Sequence, residues 1–252
     1  MTNISIVIPV LGNYEYTDKC LRSINEKSRL IDEIIVIDNE TPPKTAELLM
    51  ETWGADGLVS LNRNLGVAAS WDIGIRLAKN NIVCVCNNDV EMVVDGWDEM
   101  LIEQWKEYSD AAIMCPWPCD TTHQTFNTSG DPIKGLNGSC FFVKKDILQL
   151  TDNYKLKGEY IDNNFKQAYW EDADLLVQIR KAGFESYVTP RVKTVHYSNQ
   201  TAGNILPRDK CMENPYWSNL EYFNKKYNVH IWDYFKVYMS NVLHETTNVR
   251  LI

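Results

Sequence analysis

Residues 1–110 predict an α/β fold built on a mostly parallel sheet with crossover helices. Short β-rich runs alternate there with helical patterns, the first run is nearly continuous in apolar residues, and polar clusters follow the runs directly. Strands of a parallel sheet are covered by helices on both faces, so they read as continuous apolar segments instead of alternating ones.

Ile4 to Val10 is such a segment. Thr17 is placed to cap a helix that carries Cys20, Leu21 and Ile24 on one face. Glu33 to Ile37 reads as the second strand, and Thr41-Pro42 offers a cap and a first-turn proline to another helix. A strand over Leu58 to Leu61, a helix over Gly66 to Lys79 and a strand over Ile82 to Cys86 continue the alternation. Beyond them the order loosens. A helix from Asp95 to about Tyr108 precedes a short strand at Ala111 to Cys115, a polar stretch from Cys119 to Asn137, and an apolar strand at Cys140 to Val143. A helix over Glu171 to Ala182 and two short runs, Glu185 to Thr189 and Val192 to His196, come next. The rest is an aromatic-rich tail, predicted helical, in which Tyr216, Trp217, Tyr222 and Phe223 read first as core packing. A membrane-bound lipid-linked acceptor or an oligomer interface are the alternative uses of that tail.

The 252 residues are 44% apolar and 23% charged, ordinary for a globular domain, and the formal charge of −9 disfavours broad nonspecific binding to nucleic acid. No run of 18 apolar residues occurs, and MTNISIVIPV lacks the basic stretch and long apolar segment of a signal peptide, so a cytoplasmic protein is expected. Seven cysteines, an odd number without a C-x-x-C pair, read as reduced core thiols and not as a zinc site.

In open α/β sheets ligands bind beyond the carboxyl ends of the strands, which directs attention to Gly12-Asn13, Asp38-Asn39, Asn62-Arg63-Asn64 and Asn87-Asn88-Asp89. Neither G-x-G-x-x-G nor G-x-x-x-x-G-K-[ST] is present, so no dinucleotide fingerprint or P-loop is indicated. Asp38 closes the second strand, where a carboxylate can accept the N3–H of uracil or thymine; a turn aspartate would look the same. Asn87-Asn88-Asp89 offers oxygen ligands for a hard divalent cation, and is equally good turn chemistry. Glu171-Asp172-Ala173-Asp174 opens a helix, and three acids exceed what the helix dipole needs; one can serve as a general base. His196 ends a strand, either as a neutral imidazole ligand for a metal or as a structural histidine.

Taken in order, these pieces resemble the family 2 glycosyltransferases of the GT-A fold, a Rossmann-like sheet flanked by helices, through most of residues 3–200. The likeness rests on Ser5-Ile6-Val7-Ile8-Pro9-Val10, Ile35-Val36-Ile37-Asp38-Asn39, Asn62-x-Asn64-Leu65-Gly66-Val67-Ala68-Ala69, Asn87-Asn88-Asp89-Val90, Glu171-Asp172-Ala173-Asp174-Leu175 and His196. It implies one domain over 1–205, with a nucleotide-sugar half of about 1–110 and an acceptor half of about 111–205, and a helical extension over 206–252 packed upon it. Pro9 and Val10 would floor the nucleotide site, Asp38 would read the base, and Asn62, Asn64, Gly66 and Asn88 would lie along the nucleotide and donor sugar. Asp89, with His196, would hold a divalent cation, Mn2+ or Mg2+, that bridges the donor diphosphate. Asp172 would be the catalytic base of an inverting transfer, supported by Glu171, and Trp170 would stack on the acceptor.

Asn87 stands where a stricter D-x-D has its first aspartate, so weak metal binding without the nucleotide is expected. The implied donor is a nucleoside-diphosphate sugar on UDP or dTDP. The acceptor is open among a glycan, a lipid-linked glycan, a protein and a modified nucleic-acid base. Lys155, Lys157 and Lys166, in a loop expected to wall the acceptor side together with 119–137, are the only local basic track that would favour a nucleic acid. Two rivals share the fold. A sugar nucleotidyltransferase would carry a glycine-rich basic loop after the first strand, which Val10-Leu11-Gly12-Asn13-Tyr14-Glu15 is not; a non-catalytic sugar-binding module would not need the set Asp38, Asp89, Asp172 and His196.

Overall fold

A computed structural model describes residues 2–39, 55–119, 130–197 and 215–229. In chain order the elements are β1 (Ile4–Val10), α1 (Tyr14–Lys27), β2 (Ile31–Asn39), β3 (Gly57–Leu61), α2 (Val67–Leu77), β4 (Ile82–Cys86), β5 (Val90–Met92) and α3 (Trp97–Trp105). They continue with β6 (Ala111–Cys119), β7 (Ile133–Lys134), β8 (Cys140–Lys144), α4 (Lys145–Leu148), α5 (Asp152–Lys157), α6 (Glu171–Lys181), β9 (Glu185–His196) and α7 (Pro215–Tyr227).

The strands form one sheet in the order β3-β2-β1-β4-β8-β6-β9-β5, with β7 added on β9. The first four are parallel, as the alternation of short apolar runs with helical segments predicts. Beyond β4 the sheet is mixed: β8 runs antiparallel to both β4 and β6, and β9 is parallel to β6 but antiparallel to β5 and β7.

Alternate side chains of each strand go to opposite faces, and both faces are covered. Ile4, Ile6, Ile8 and Val10 of β1 pack with Cys20, Leu21 and Ile24 of α1 and with Trp97 and Leu101 of α3. Val7 joins Trp71 and Ile75 of α2, Leu175 and Ile179 of α6 and Phe223 of α7 on the other face. Helix α2 lies so close to the sheet that a Cβ built on Gly74 would sit 2.1 Å from Val7 Cγ1, which only a glycine permits.

Several sequence expectations need correction. Helix α1 begins at Tyr14 behind a left-handed Asn13 (φ 53°), and Thr17 is buried inside the helix instead of capping it. The two runs after α6 are one twelve-residue strand, β9, and β6 runs past the expected end at Cys115, through Pro116-Trp117-Pro118 to Cys119, the first residue of the expected polar stretch. β5, only three residues long, was not anticipated. The helix expected at Thr41-Pro42 and all of the tail except 215–229 lie outside the described residues. Six cysteines, at 20, 84, 86, 115, 119 and 140, are unbonded and buried, as expected for core thiols. Among the described residues no helix is long and apolar enough to cross a membrane.

Candidate active site

A cavity of about 590 Å³ opens where the carboxyl ends of β1, β2 and β4 meet the amino end of α6, the last residue of β9 and the first turn of α7. This is the location that sheet topology assigns to a ligand. Pro9, Val10 and Leu11 contribute one wall, Asn39, Asn64, Gly66 and Val67 a second, and Asn87, Asn88 and Asp89 a third. Leu136 to Ser139, the segment Gln167 to Ala173, His196 and Tyr216 close the remainder.

Local hydrogen bonds shape the first side. Asn64 Oδ1 accepts the Gly66 N–H at 2.8 Å, a turn that aspartate and asparagine form readily. Asn39, 3% exposed, accepts the Leu65 N–H on Oδ1 and donates from Nδ2 to Ser70 Oγ at 2.7 Å, fastening the 62–66 loop to the end of β2. Gly66 sits at φ 91°, and a Cβ there would lie 2.6 Å from the backbone nitrogen of Gln167, so the position requires glycine for both reasons. Opposite, the Asn88 amide donates to Thr17 Oγ1 at 2.8 Å, tying the Asn-Asn-Asp turn to α1.

Asp89 and His196, 107 positions apart in sequence, meet because β5 pairs antiparallel with β9 and sets Val90 opposite His196. Asp89 Oδ1 lies 3.2 Å from His196 Nε2, and the Asp89 carbonyl accepts the Tyr197 N–H at 3.0 Å. A carboxylate oxygen and an imidazole nitrogen side by side suit a divalent cation such as Mn2+. Among the described residues no cluster of three or more His, Cys, Asp or Glu could hold a metal, so these two would be the protein's share of the shell.

The far side is built from backbone in unusual conformations. Gln167, Tyr169 and Trp170 have φ of 54°, 81° and 73°, each in the left-handed region that disfavours residues other than glycine by about 1–3 kcal/mol. The segment is held from two directions. The Gln167 carbonyl accepts the Val67 N–H at 2.6 Å, at the start of α2. Asn219 of α7, 1% exposed, accepts the Lys166 N–H and donates to the carbonyls of Lys166, Ala168 and Tyr169 at 2.8, 2.9 and 3.0 Å.

The segment delivers Glu171 and Asp172 to the cavity. Glu171 is 7% exposed and its Oε2 finds no hydrogen-bond partner among the described residues; burial, with Asp172 alongside, pushes its carboxyl up to about 8. Asp172 is also raised by burial, although Oδ1 accepts the Ala173 N–H at 2.7 Å. A Cβ on Gly138 would come within 2.7 Å of Asp172 Oδ2, so the loop before β8 presses on that carboxylate. The third acid of the motif faces elsewhere. Asp174 accepts Asn153 Nδ2 at 2.9 Å, Lys226 Nζ at 2.5 Å and Tyr227 Oη at 2.5 Å, anchoring α7 to α5 and α6.

Residues 5–162 match the sequence profile of glycosyl transferase family 2. The chain belongs to that family. No curated protein matches the sequence. Solved structures of similar fold include GalNAc-T7 with UDP, GalNAc and Mn2+ (TM-score 0.61, 14% identity, 78% of this chain and 44% of that one). The mannosyltransferase PcManGT from Pyrobaculum calidifontis, in complex with GDP-Man and Mn2+, gives 0.60 at 14% identity over 79% and 58%. TarS from S. aureus gives 0.61 at 12% identity over 77% and 36%. This family 2 chain thus spans less than two thirds of each, and the likeness establishes a shared GT-A fold.

Of the residues the sequence singles out in this family 2 glycosyltransferase, Pro9, Val10, Asn64, Gly66, Asn88, Asp89, Trp170, Glu171, Asp172 and His196 all line the cavity. Asp38 and Asn62 do not: Asp38 is fully buried in β2 opposite Val10, and Asn62 is exposed. Trp170 is 7% exposed, with its ring 5.5 Å from that of Tyr216 and 5.3 Å from that of Phe223. Lys155, Lys157 and Lys166 are outside the lining, and Lys157 is paired with Asp162 at 2.8 Å, so they form no basic track into the site. Sequence reasoning gave no role to Asn39, Gly138, Tyr216 or Asn219. Asn39 alone carried a signal, as the residue after a strand-ending aspartate.

Proposed function

We propose that the chain transfers a sugar from a nucleoside-diphosphate donor to an acceptor hydroxyl with inversion, using Asp172 as general base. The observation that carries this reading is the charge of the cavity. Its lining contains Asp89, Glu171 and Asp172 and, among the described residues, neither lysine nor arginine. A diphosphate leaving group therefore needs positive charge from elsewhere. One divalent cation on Asp89 and His196 would supply it, with the remaining ligands from diphosphate oxygens and water.

The protein's own residues do the rest. Pro9, Val10, Asn64 and Gly66 hold the nucleotide and donor sugar against the ends of β1 and α2, and Asn88 keeps the Asn-Asn-Asp turn in register. The acceptor oxygen attacks the anomeric carbon while the bond to the diphosphate oxygen breaks, and the acceptor proton passes to Asp172. Burial makes Asp172 a better base than an ordinary aspartate. Glu171, protonated below about pH 8, sits beside it without adding a second charge. A single displacement needs no second nucleophilic carboxylate, unlike a retaining mechanism. Asp38, buried near the end of β2, keeps its proposed role as the reader of a uracil or thymine base.

The test is calorimetric titration with UDP, dTDP, GDP and ADP, each with and without Mn2+. Binding of one pyrimidine diphosphate that depends on Mn2+, and weakens at least tenfold in Asp89→Ala, is the expected result. Affinity independent of both the metal and Asp89 would remove the metal assignment, and no binding of any nucleotide would remove the enzyme reading in favour of a sugar-binding module.

A further inference from the structure

The reading of the cavity as a glycosyltransferase site leaves the acceptor unnamed, and the wall between α6 and α7 carries enough chemistry to name its class. This step rests on that reading.

Tyr216 is the ring that this wall presents. It is half-buried, lines the cavity, and its ring lies 5.7 Å from that of Tyr169, 5.5 Å from Trp170 and 5.1 Å from Trp217. Trp170 is backed by Phe223 and serves as support behind Tyr216. Trp217 stands at 85° to Tyr216 and is 50% exposed, so the aromatic surface continues from the cavity out onto the open face of α7. A large indole left half in water gains free energy when a ligand covers it.

Hydrogen-bonding groups surround that surface. Glu171 Oε2 is buried in the wall without a partner among the described residues, Asp172 is next to it, and Asn137, Ser139 and Gln167 line the same cavity. A buried polar atom without a partner is costly, and a ligand hydroxyl would satisfy it. An apolar platform ringed by acceptors and amides matches a pyranose, which has C–H groups on its faces and hydroxyls at its rim.

The sign of the charge narrows the class. An acceptor carrying phosphate or carboxylate would bring its charge beside Asp172 with no lysine or arginine of the described lining to offset it.

We propose that the acceptor is an uncharged saccharide whose pyranose ring stacks on Tyr216, and that an acceptor of two or more units continues over Trp217.

The test is saturation-transfer difference NMR on the full chain with Mg2+ and whichever of the four nucleoside diphosphates binds. The probes are the methyl β-glycosides of glucose, galactose and N-acetylglucosamine and their β-linked dimers, set against glucuronic acid and glycerol 3-phosphate. Saturation on the ring C–H protons of at least one neutral probe, and none on the two anions, is expected. Trp217→Ala should weaken the bound dimer at least fivefold and leave the monomer within twofold, while Tyr216→Leu weakens both at least tenfold. Because Trp217 is half exposed its variant keeps the fold, which a thermal melt checks. Anions binding as well as neutral sugars, no saccharide binding at all, or affinities indifferent to both variants would each overturn the proposal. Nucleotide affinity measured on the same samples tells the two failures apart: if it is intact, only the acceptor class falls, and if no nucleotide binds, the glycosyltransferase reading falls with it.

Discussion

The side-chain amide of Asn219 donates to the carbonyl of Tyr169 at 3.0 Å, across 50 residues of sequence. Together with its bonds to Lys166 and Ala168, this makes one side chain of α7 the clamp on a segment with three left-handed residues that ends in the two acids of the cavity. Asn219→Asp keeps the shape but turns a carboxylate toward three carbonyls. It should lower stability on the order of 2 kcal/mol and lower kcat more than tenfold, while nucleotide affinity stays within threefold. Urea unfolding and single-turnover kinetics check the two halves; a variant that loses stability but keeps kcat would reduce Asn219 to a structural residue.

Asp172→Asn removes the proposed base and retains the shape of the side chain. Transfer should fall by about 10²–10⁴-fold, with metal-dependent nucleotide binding within threefold of the parent. Asp174→Asn, three residues from the start of the same helix, should behave in the opposite sense. Its partners are Lys226, Tyr227 and Asn153, so it should lower the melting temperature and leave Asp172's role in transfer in place. Product formation and thermal melts on both variants separate the two acids.

The contrast between those acids marks how far the sequence could be read. Three carboxylates in the first turn of α6 announced an excess over capping, but nothing local says which faces the cavity; that follows from Lys226 and Tyr227, more than fifty residues on. The parallel half was legible because Ile4–Val10 and Ile82–Cys86 are apolar on both faces, a pattern only a doubly covered strand produces. β5 was not, since Val-Glu-Met is too short for any period to emerge, yet it is the pairing of β5 with β9 that brings Asp89 to His196. Thr17 looked like a cap by type alone, and its hydroxyl instead receives Asn88. Asn219 and Tyr216 stood in an aromatic run that reads equally well as core.

Glu171 makes the stability of the fold depend on pH. Its carboxyl is pushed up to about 8 by burial and by Asp172, against an ordinary value of 4.5. Between those values the folded chain binds a proton that the unfolded chain has released, so this group makes stability fall as pH rises from about 4.5 to about 8 and contributes no further slope above that. Glu171→Gln mimics the protonated form and removes the slope. The stability difference between variant and parent should therefore widen by up to about 1 kcal/mol per pH unit over this window and then level off. Urea unfolding at pH 5, 6, 7, 8 and 9 measures it, and parallel curves for the two proteins would mean that Glu171 is ionised in the fold.

Gly138 tests the position of the proposed base, Asp172, without touching it chemically. An alanine Cβ there would lie 2.7 Å from Asp172 Oδ2 and 3.0 Å from Asp172 Cβ, closer than real Cβ atoms approach. Either the loop before β8 or the carboxylate must shift by a few tenths of an ångström, and Asp172 Oδ1 is held by the Ala173 N–H. A displacement of that size is enough to disturb proton transfer, which needs donor and acceptor within hydrogen-bond reach. Gly138→Ala should cut kcat by roughly ten- to a hundredfold, with the metal-dependent nucleotide affinity unchanged because Asp89, just before β5, and His196, at the end of β9, are not among the atoms this Cβ would meet. Gly135→Ala is the matched control, since its Cβ would make only ordinary van der Waals contact, 3.6 Å from Val188 Cγ2, and like Gly138 it has no left-handed backbone. Equal loss of kcat in both variants would mean that general destabilisation, and not pressure on Asp172, accounts for the effect.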